Sequence, residues 1–158
     1  MKKISIIVPV FNLCGDRLLN FLHNIKHINT ISDRCEVIVV EQTHIDSNII
    51  EFLKTYPSIK HIRVDLGEVF NKSSLINRAF TTISSEYIWI IDADYYTNYE
   101  HILDTFDTLN LSPHQPHFIR PHSLVIVLTK SETENLIESG YVKIQRSSYE
   151  SSSANGKY

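Results

Sequence analysis

Two carboxylates one residue apart, Asp92 and Asp94, lie inside the segment EYIWIIDADYYTNY at residues 86–99. An apolar run containing Trp89 precedes them, and Tyr95 and Tyr96 come directly after. In an extended segment, residues i and i+2 point to one side, so the pair would offer hard oxygen donors together. Such donors suit Mg²⁺ or Mn²⁺, ions that bridge onward to phosphate oxygens. A purely local reading also fits: one Asp caps the helix that begins near Asn98, and the other is solvated in a turn. A lone D-x-D arises readily by chance, so spacing alone does not choose between the two. The histidines add little. His114 and His117 flank Gln115 and Pro116; proline denies them a shared helical face, and zinc would need further ligands. His101 and His122 could contribute late to a metal or acceptor site, but read better as exposed polar residues. Glu132 and Glu134 fall where a helix start would favour negative charge.

The elements that position the acidic pair can be read from the hydrophobic pattern. Residues 4–10 form a β-branched run apolar on both faces, as in a central parallel strand. Asp16 can cap a helix carrying Leu18, Leu19, Phe21, Leu22, Ile25 and Ile28. Residues 35–42 read as a second buried strand. Residues 45–56 read as a helix stopped by Pro57, and residues 59–65 as a more alternating strand nearer an edge. Residues 66–71 read as loop, with Ser73 and Ser74 serving the start of a helix. The apolar stripe of that helix is Leu75, Ile76, Ala79, Phe80 and Ile83. Residues 86–92 form the fourth strand, and the next helix bears Ile102, Leu103, Phe106 and Leu109. One or two further strands are expected within 118–128, a helix over 130–139 ended by Gly140, and a last strand over 141–145. The expected division is a domain over 1–146 with a flexible polar tail over 147–158.

Strands and helices alternate four times, which predicts a doubly wound, mostly parallel, Rossmann-like α/β sheet with helices on both faces. In the strand order 3-2-1-4 the chain reverses between the first and fourth strands. Ligands bind at such a switch point, outside the carboxyl ends of the strands. The acidic pair would then stand on the lip of a pocket, where its charges need not be buried.

Composition narrows the classes. At 158 residues, 42% hydrophobic and 21% charged, the chain can bury a core. The net charge of −3 leaves no basic footprint for nucleic acid. No run approaches the roughly 20 apolar residues of a membrane span. The two cysteines, Cys14 and Cys35, form no CxxC pair and read as reduced thiols, so a soluble, cytoplasmic protein is expected. Only four glycines occur; neither G-x-G-x-x-G nor a P-loop is present, so a phosphate ligand would lack the usual glycine cradle.

In order along the chain, ISIIVPVFN, VIVVEQ, FNKSSLINRAF and YIWIIDADYY resemble the nucleotide-sugar-binding half of GT-A glycosyltransferases, family two in particular. Bacterial chondroitin-type polymerases belong to that group. FNKSSLINRAF is also similar to the segment before the D-x-D of animal galactosyltransferases. The resemblance covers residues 3–97 well and continues more weakly through residues 118–140. It implies a glycosyltransferase, inverting in mechanism, that takes a UDP-sugar and acts on a glycan or glycolipid acceptor in polysaccharide biosynthesis. It implies that Pro9, Phe11 and Asn12 line the uridine pocket, and that Glu41 stands where many members place an Asp on the uracil. Phe70 and Lys72 would flank the base and diphosphate, with Asn77 and Arg78 facing the ribose and phosphates. Asp92 would meet the ribose or the metal's water shell, and Asp94 would ligate Mn²⁺ or Mg²⁺ directly.

Local roles are open for each of these: Phe11 and Phe70 as core aromatics, Glu41 and Gln42 as turn residues, Lys72 and Arg78 as solvated charges. Tyr95 and Tyr96 either pack beside the sugar or form an ordinary rim. The family's catalytic base, a carboxylate on a later segment, has no counterpart here, so the catalytic residue is unassigned and a truncated or reduced transferase is expected. An exposed apolar surface could then drive self-association. Other readings are a non-catalytic nucleotide-sugar-binding or assembly module and a receiver-like domain. The latter would want acidic residues after the first strand, where FNLCGD stands.

Overall fold

The computed structural model describes residues 4–43, 47–110 and 128–139. The expected strands within 118–128 and 141–145, the tail, and His114, His117, His122 and Gly140 lie outside these residues. So do the side chains of His101, Ile102 and Leu109. The chain divides into two compact units, Met1–Leu111 and Ser112–Tyr158.

The first unit holds four parallel strands, β1 (Ile4–Phe11), β2 (Glu36–Thr43), β3 (Ile59–Asp65) and β4 (Tyr87–Ile90), in the order β3-β2-β1-β4. The expected order and the doubly wound α/β class are both found. β1 is buried from Ile4 to Val10, because both of its faces are covered. β3 alternates because it lies at the sheet edge.

Pro9 lacks an N–H and is unusual in an inner strand. The pairing explains it. Ile91 N donates to Ile7 O at 3.0 Å, beyond the last residue of β4. Pro9, two residues on, turns its nitrogen to the same side; without an N–H it adds no further rung, and β4 ends at this level.

Among the described residues, four helices accompany the sheet: α1 (Gly15–Asn29), α2 (Ile50–Leu53), α3 (Lys72–Phe80) and α4 (Tyr99–Asn110). Ile7, Ile38 and Val40 bury one sheet face against Leu75 and Ala79 of α3, with Ile62, Val64, Ile83 and Ile88 around them. The opposite face carries Trp89, the register partner of Ile6, and packs against Tyr99 of α4. α1 joins this side through Asn24, which is hydrogen-bonded to Tyr99. Arg34, in the turn between α1 and β2, ties that turn to α4 by bonds to Glu100, Asp104 and Asp107 at 2.7, 3.0 and 2.9 Å.

Several local expectations are corrected. Asp16 does not cap α1: Cys14 occupies that position without a side-chain bond, and Asp16 sits in the first turn, where its charge still suits the helix dipole. Leu19 points outward, 58% exposed, while the polar Asn24 is buried. The helix expected over 45–56 shrinks to the single turn of α2. Ser47 and Asn48 before it bond to backbone at Ile49 and Leu13, which competes with helix formation. α3 is capped by Asn71, whose Oδ1 accepts from Ser74 N at 3.0 Å, rather than by Ser73 or Ser74. In the second unit, α5 (Lys130–Ser139) starts at a capping box. Glu132 accepts from the Thr129 amide and hydroxyl at 2.7 and 2.9 Å, and its own N–H donates to Thr129 Oγ1 at 3.3 Å.

Candidate functional site

The chain leaves β1 through Asn12, whose φ of 45° lies in the left-handed region that asparagine tolerates better than most residues. That turn leaves Phe11 half-buried at the strand's end. Its ring lies 5.7 Å from that of Phe70 at an interplanar angle of 8°, an offset parallel stack. Phe70 comes from the loop between β3 and α3 and is 44% exposed. Gln42, 2% exposed at the end of β2, fastens this loop. Its Nε2 donates to Gly67 O and Val69 O, each at 2.8 Å, and its Oε1 accepts from Asn71 N at 2.8 Å.

Past the end of β4, Asp92 and Asp94 are not extended, as the i, i+2 argument assumes. Tyr95 N donates to Asp92 O at 3.1 Å, closing a turn. The turn still exposes both carboxylates, because Ala93 between them is buried. Asn24 Nδ2 donates to Ala93 O at 3.4 Å. The Tyr99 hydroxyl donates to Asn24 Oδ1 and lies 3.2 Å from Tyr95 O. Burial holds the Tyr99 phenol far above its ordinary pKa, so it stays a hydrogen-bond donor. Neither Asp caps α4, which starts five residues beyond Asp94. Asp92 instead pairs with Lys72 at the first position of α3. Arg17, from the first turn of α1, lies 3.6 Å from Asp94. The lip thus alternates charge across three elements.

Glu41 faces elsewhere. In register with Val10 and Arg63, it lies on the sheet face opposite Phe11 and Gln42. It is 7% exposed and accepts from His61 Nε2 at 3.0 Å, with Arg63 Nε at 3.5 Å. Burial pushes its pKa up; hydrogen bonds from His61 and Ser47, with the charges of His61 and Arg63, outweigh burial and hold it below the ordinary carboxylate value. Asn77 and Arg78 are exposed toward the far end of α3. At about 1.5 Å per residue, Arg78 stands roughly 9 Å along the axis from Lys72. Tyr96 joins His23 and His27 in an aromatic cluster with centroid separations of 4.5–5.7 Å.

Arg17, Asn24, His61, Arg63 and Tyr99 have parts in this arrangement that sequence reasoning does not assign, and Gln42 is read there only as a turn residue. Only His61 and Arg63 leave a signal, since alternation along residues 59–65 sets them on one face.

Among the described residues, no three His, Cys, Asp or Glu side chains gather as a ready-made metal cage. Two exposed carboxylates fit a hard cation of the Mg²⁺ type, which takes one or two carboxylates and completes its shell with water and substrate phosphate. The donor set therefore fits Mn²⁺ or Mg²⁺ held jointly with a ligand.

The architecture, a parallel sheet with helices on both faces and an acidic turn at its switch point, is the GT-A, Rossmann-like fold. A profile of glycosyl transferase family 2 matches residues 5–115, and the chain belongs to that family. Solved structures share the fold. S. aureus TarS aligns over 68% of this chain and 19% of its own, at 20% identity and a TM-score of 0.56. TarS 1–349 in complex with UDP aligns over 68% and 32%, with the same identity and score. The mannosyltransferase PcManGT from Pyrobaculum calidifontis, in complex with GDP-Man and Mn²⁺, aligns over 70% and 33%, at 24% identity and a TM-score of 0.55. The chain thus spans between 19% and 33% of the length of these structures. No curated protein matches it. No described helix is long and apolar enough to cross a membrane.

Proposed function

We propose that this chain binds a UDP-sugar at the switch point and forms the donor-binding part of a glycosyltransferase. The observation that carries the reading is the meeting, at the carboxyl ends of β1 and β4, of the Phe11–Phe70 stack with the charges of Lys72, Asp92, Asp94 and Arg17. A flat base slid between the two rings would need roughly 7 Å, twice the contact distance of about 3.5 Å. The ring centroids are 5.7 Å apart, so the planes are separated by no more than that, and the base stacks on the exposed side of Phe70, or the loop moves outward. Pro9 and Asn12 shape the floor and entrance beside Phe11. Asn77 and Arg78, farther along α3, serve ribose or phosphate only in a ligand that extends over that helix.

Asp94 and Asp92 would hold Mn²⁺ or Mg²⁺, which when bound offsets the charge of the leaving diphosphate. The chain's own groups do the rest. Lys72 and Arg17 reach diphosphate oxygens as fixed cations, and Asn24 and Tyr99 keep the acidic turn rigid. Transfer would be inverting, onto a glycan or glycolipid hydroxyl, with a hexose or N-acetylhexosamine as the sugar. The base for that step is not among the residues assigned here. Among the described residues Cys14 and Cys35 form no disulfide, which suits a reducing compartment and a cytoplasmic site.

Calorimetric titration of UDP, with and without Mn²⁺, tests the reading. The expected result is Mn²⁺-dependent binding that Asp94→Ala removes and GDP competes for weakly. A folded protein that binds UDP under neither condition would refute it.

A further inference from the structure

We infer that Gln42 is a positioning residue for the donor site: a single buried amide that sets both the base-stacking ring and the first cation of the diphosphate lip. The inference rests on the donor-binding reading above. The loop it holds gains little order from apolar burial. Leu66, Val69 and Phe70 are 37%, 81% and 44% exposed, so apolar burial does not fix their backbone. Gly67, at φ 78°, turns the chain, and its N–H is bonded only locally, to Asp65 Oδ1 at 3.1 Å. Gln42 spans this turn from below with three bonds, to Gly67, Val69 and Asn71.

The chemistry requires an amide. Two backbone carbonyls need donors and one backbone N–H needs an acceptor, all from one side chain. A flipped amide would set its oxygen against two carbonyls, so the orientation is unambiguous. A glutamate would offer only acceptors, and a leucine none. Register puts Gln42 beside Phe11 and Val64 on one sheet face, directly under the loop. From there its influence runs two ways. Val69 is followed by Phe70, which stacks on Phe11. Asn71 caps α3, whose first residue, Lys72, pairs with Asp92. Sequence reading treats Gln42 as a turn residue; the geometry makes it the fastener of one pocket wall.

The test measures UDP affinity by calorimetry, with saturating Mn²⁺, for the wild type, Gln42→Leu, Phe70→Ala and the double variant. Amide hydrogen exchange is followed at Val69, Phe70 and Asn71. Gln42→Leu keeps an apolar fill at a buried site and is expected to speed exchange at Asn71 while β1 and β2 stay protected. UDP affinity should fall by about tenfold, the order expected for ordering a short loop on binding. In the Phe70→Ala background the same change should cost less than threefold, because coupled groups are non-additive. Gln42→Glu guards against a folding artefact: its deficit relative to the wild type at the same pH should narrow as pH falls, because the protonated carboxyl regains one donor. Full additivity with Phe70→Ala, or unchanged affinity with a freed loop, would overturn the inference and leave the donor reading intact. Absence of UDP binding by the wild type would overturn both.

Discussion

Two polar groups stand at the same edge of the sheet and are built in opposite ways. At the end of β4, Asp92 and Asp94 are exposed and meet Lys72 and Arg17, whose long side chains are themselves solvated. At the end of β2, Glu41 and Gln42 are buried and satisfied by partners on neighbouring strands and loop. Exposed pairs of the first kind add little to stability and exchange partners cheaply. Buried groups of the second kind are costly to leave unpaired. In the proposed donor site the lip would therefore be free to trade its partners for a ligand, while the β2 end would hold the wall beside it.

Substitutions sharpen this contrast. The largest effect is expected at the lip on binding: Asp94→Ala should lower Mn²⁺-dependent UDP affinity on the order of a hundredfold or more, with the urea midpoint unchanged. If stability fell with affinity, the lip would be scaffold after all. Next is the buried side. His61→Leu leaves the Glu41 carboxylate with poorer partners and should cost roughly 2 kcal/mol in urea unfolding. A loss below about 0.5 kcal/mol, as for an ordinary surface change, would erase the distinction.

A smaller effect is expected from acid. Glu41 has a folded pKa below its ordinary value of 4.5. Its contribution is thus complete above that value and lost as pH falls through the lower, folded one. Unfolding midpoints should drop more steeply below pH 4.5 in the wild type than in Glu41→Gln; parallel curves would mean that Glu41 gains nothing from its partners. Smallest on stability is Arg17→Ala, within about 0.5 kcal/mol, yet it should weaken UDP binding severalfold and reduce its salt dependence. An unchanged salt dependence would remove Arg17 from the site.

Much of the fold was legible along the chain. The buried runs of β1 and β2, the edge-like alternation of β3 and the helical stripe of Leu75 and Ala79 each report burial through a local period. The α2 region was not, since the side-chain bonds of Ser47 and Asn48 compete with helix in a way periodicity does not register. The acidic pair was found as a motif, but its turn geometry and its partners were hidden. Arg17 lies 77 residues from Asp94 in sequence, and nothing local to either one marks the other.

What the sequence determined alone is the order of elements and the residue types at the strand ends, because burial and chain reversal write themselves into nearest-neighbour pattern. The tertiary structure decided which of those ends meet. Glu41 and Gln42 are adjacent and equally polar, yet the two-residue period of the strand sends one to His61 and Arg63 and the other beneath the Phe70 loop. Only the register with β1 and β3 determines which neighbours each will find.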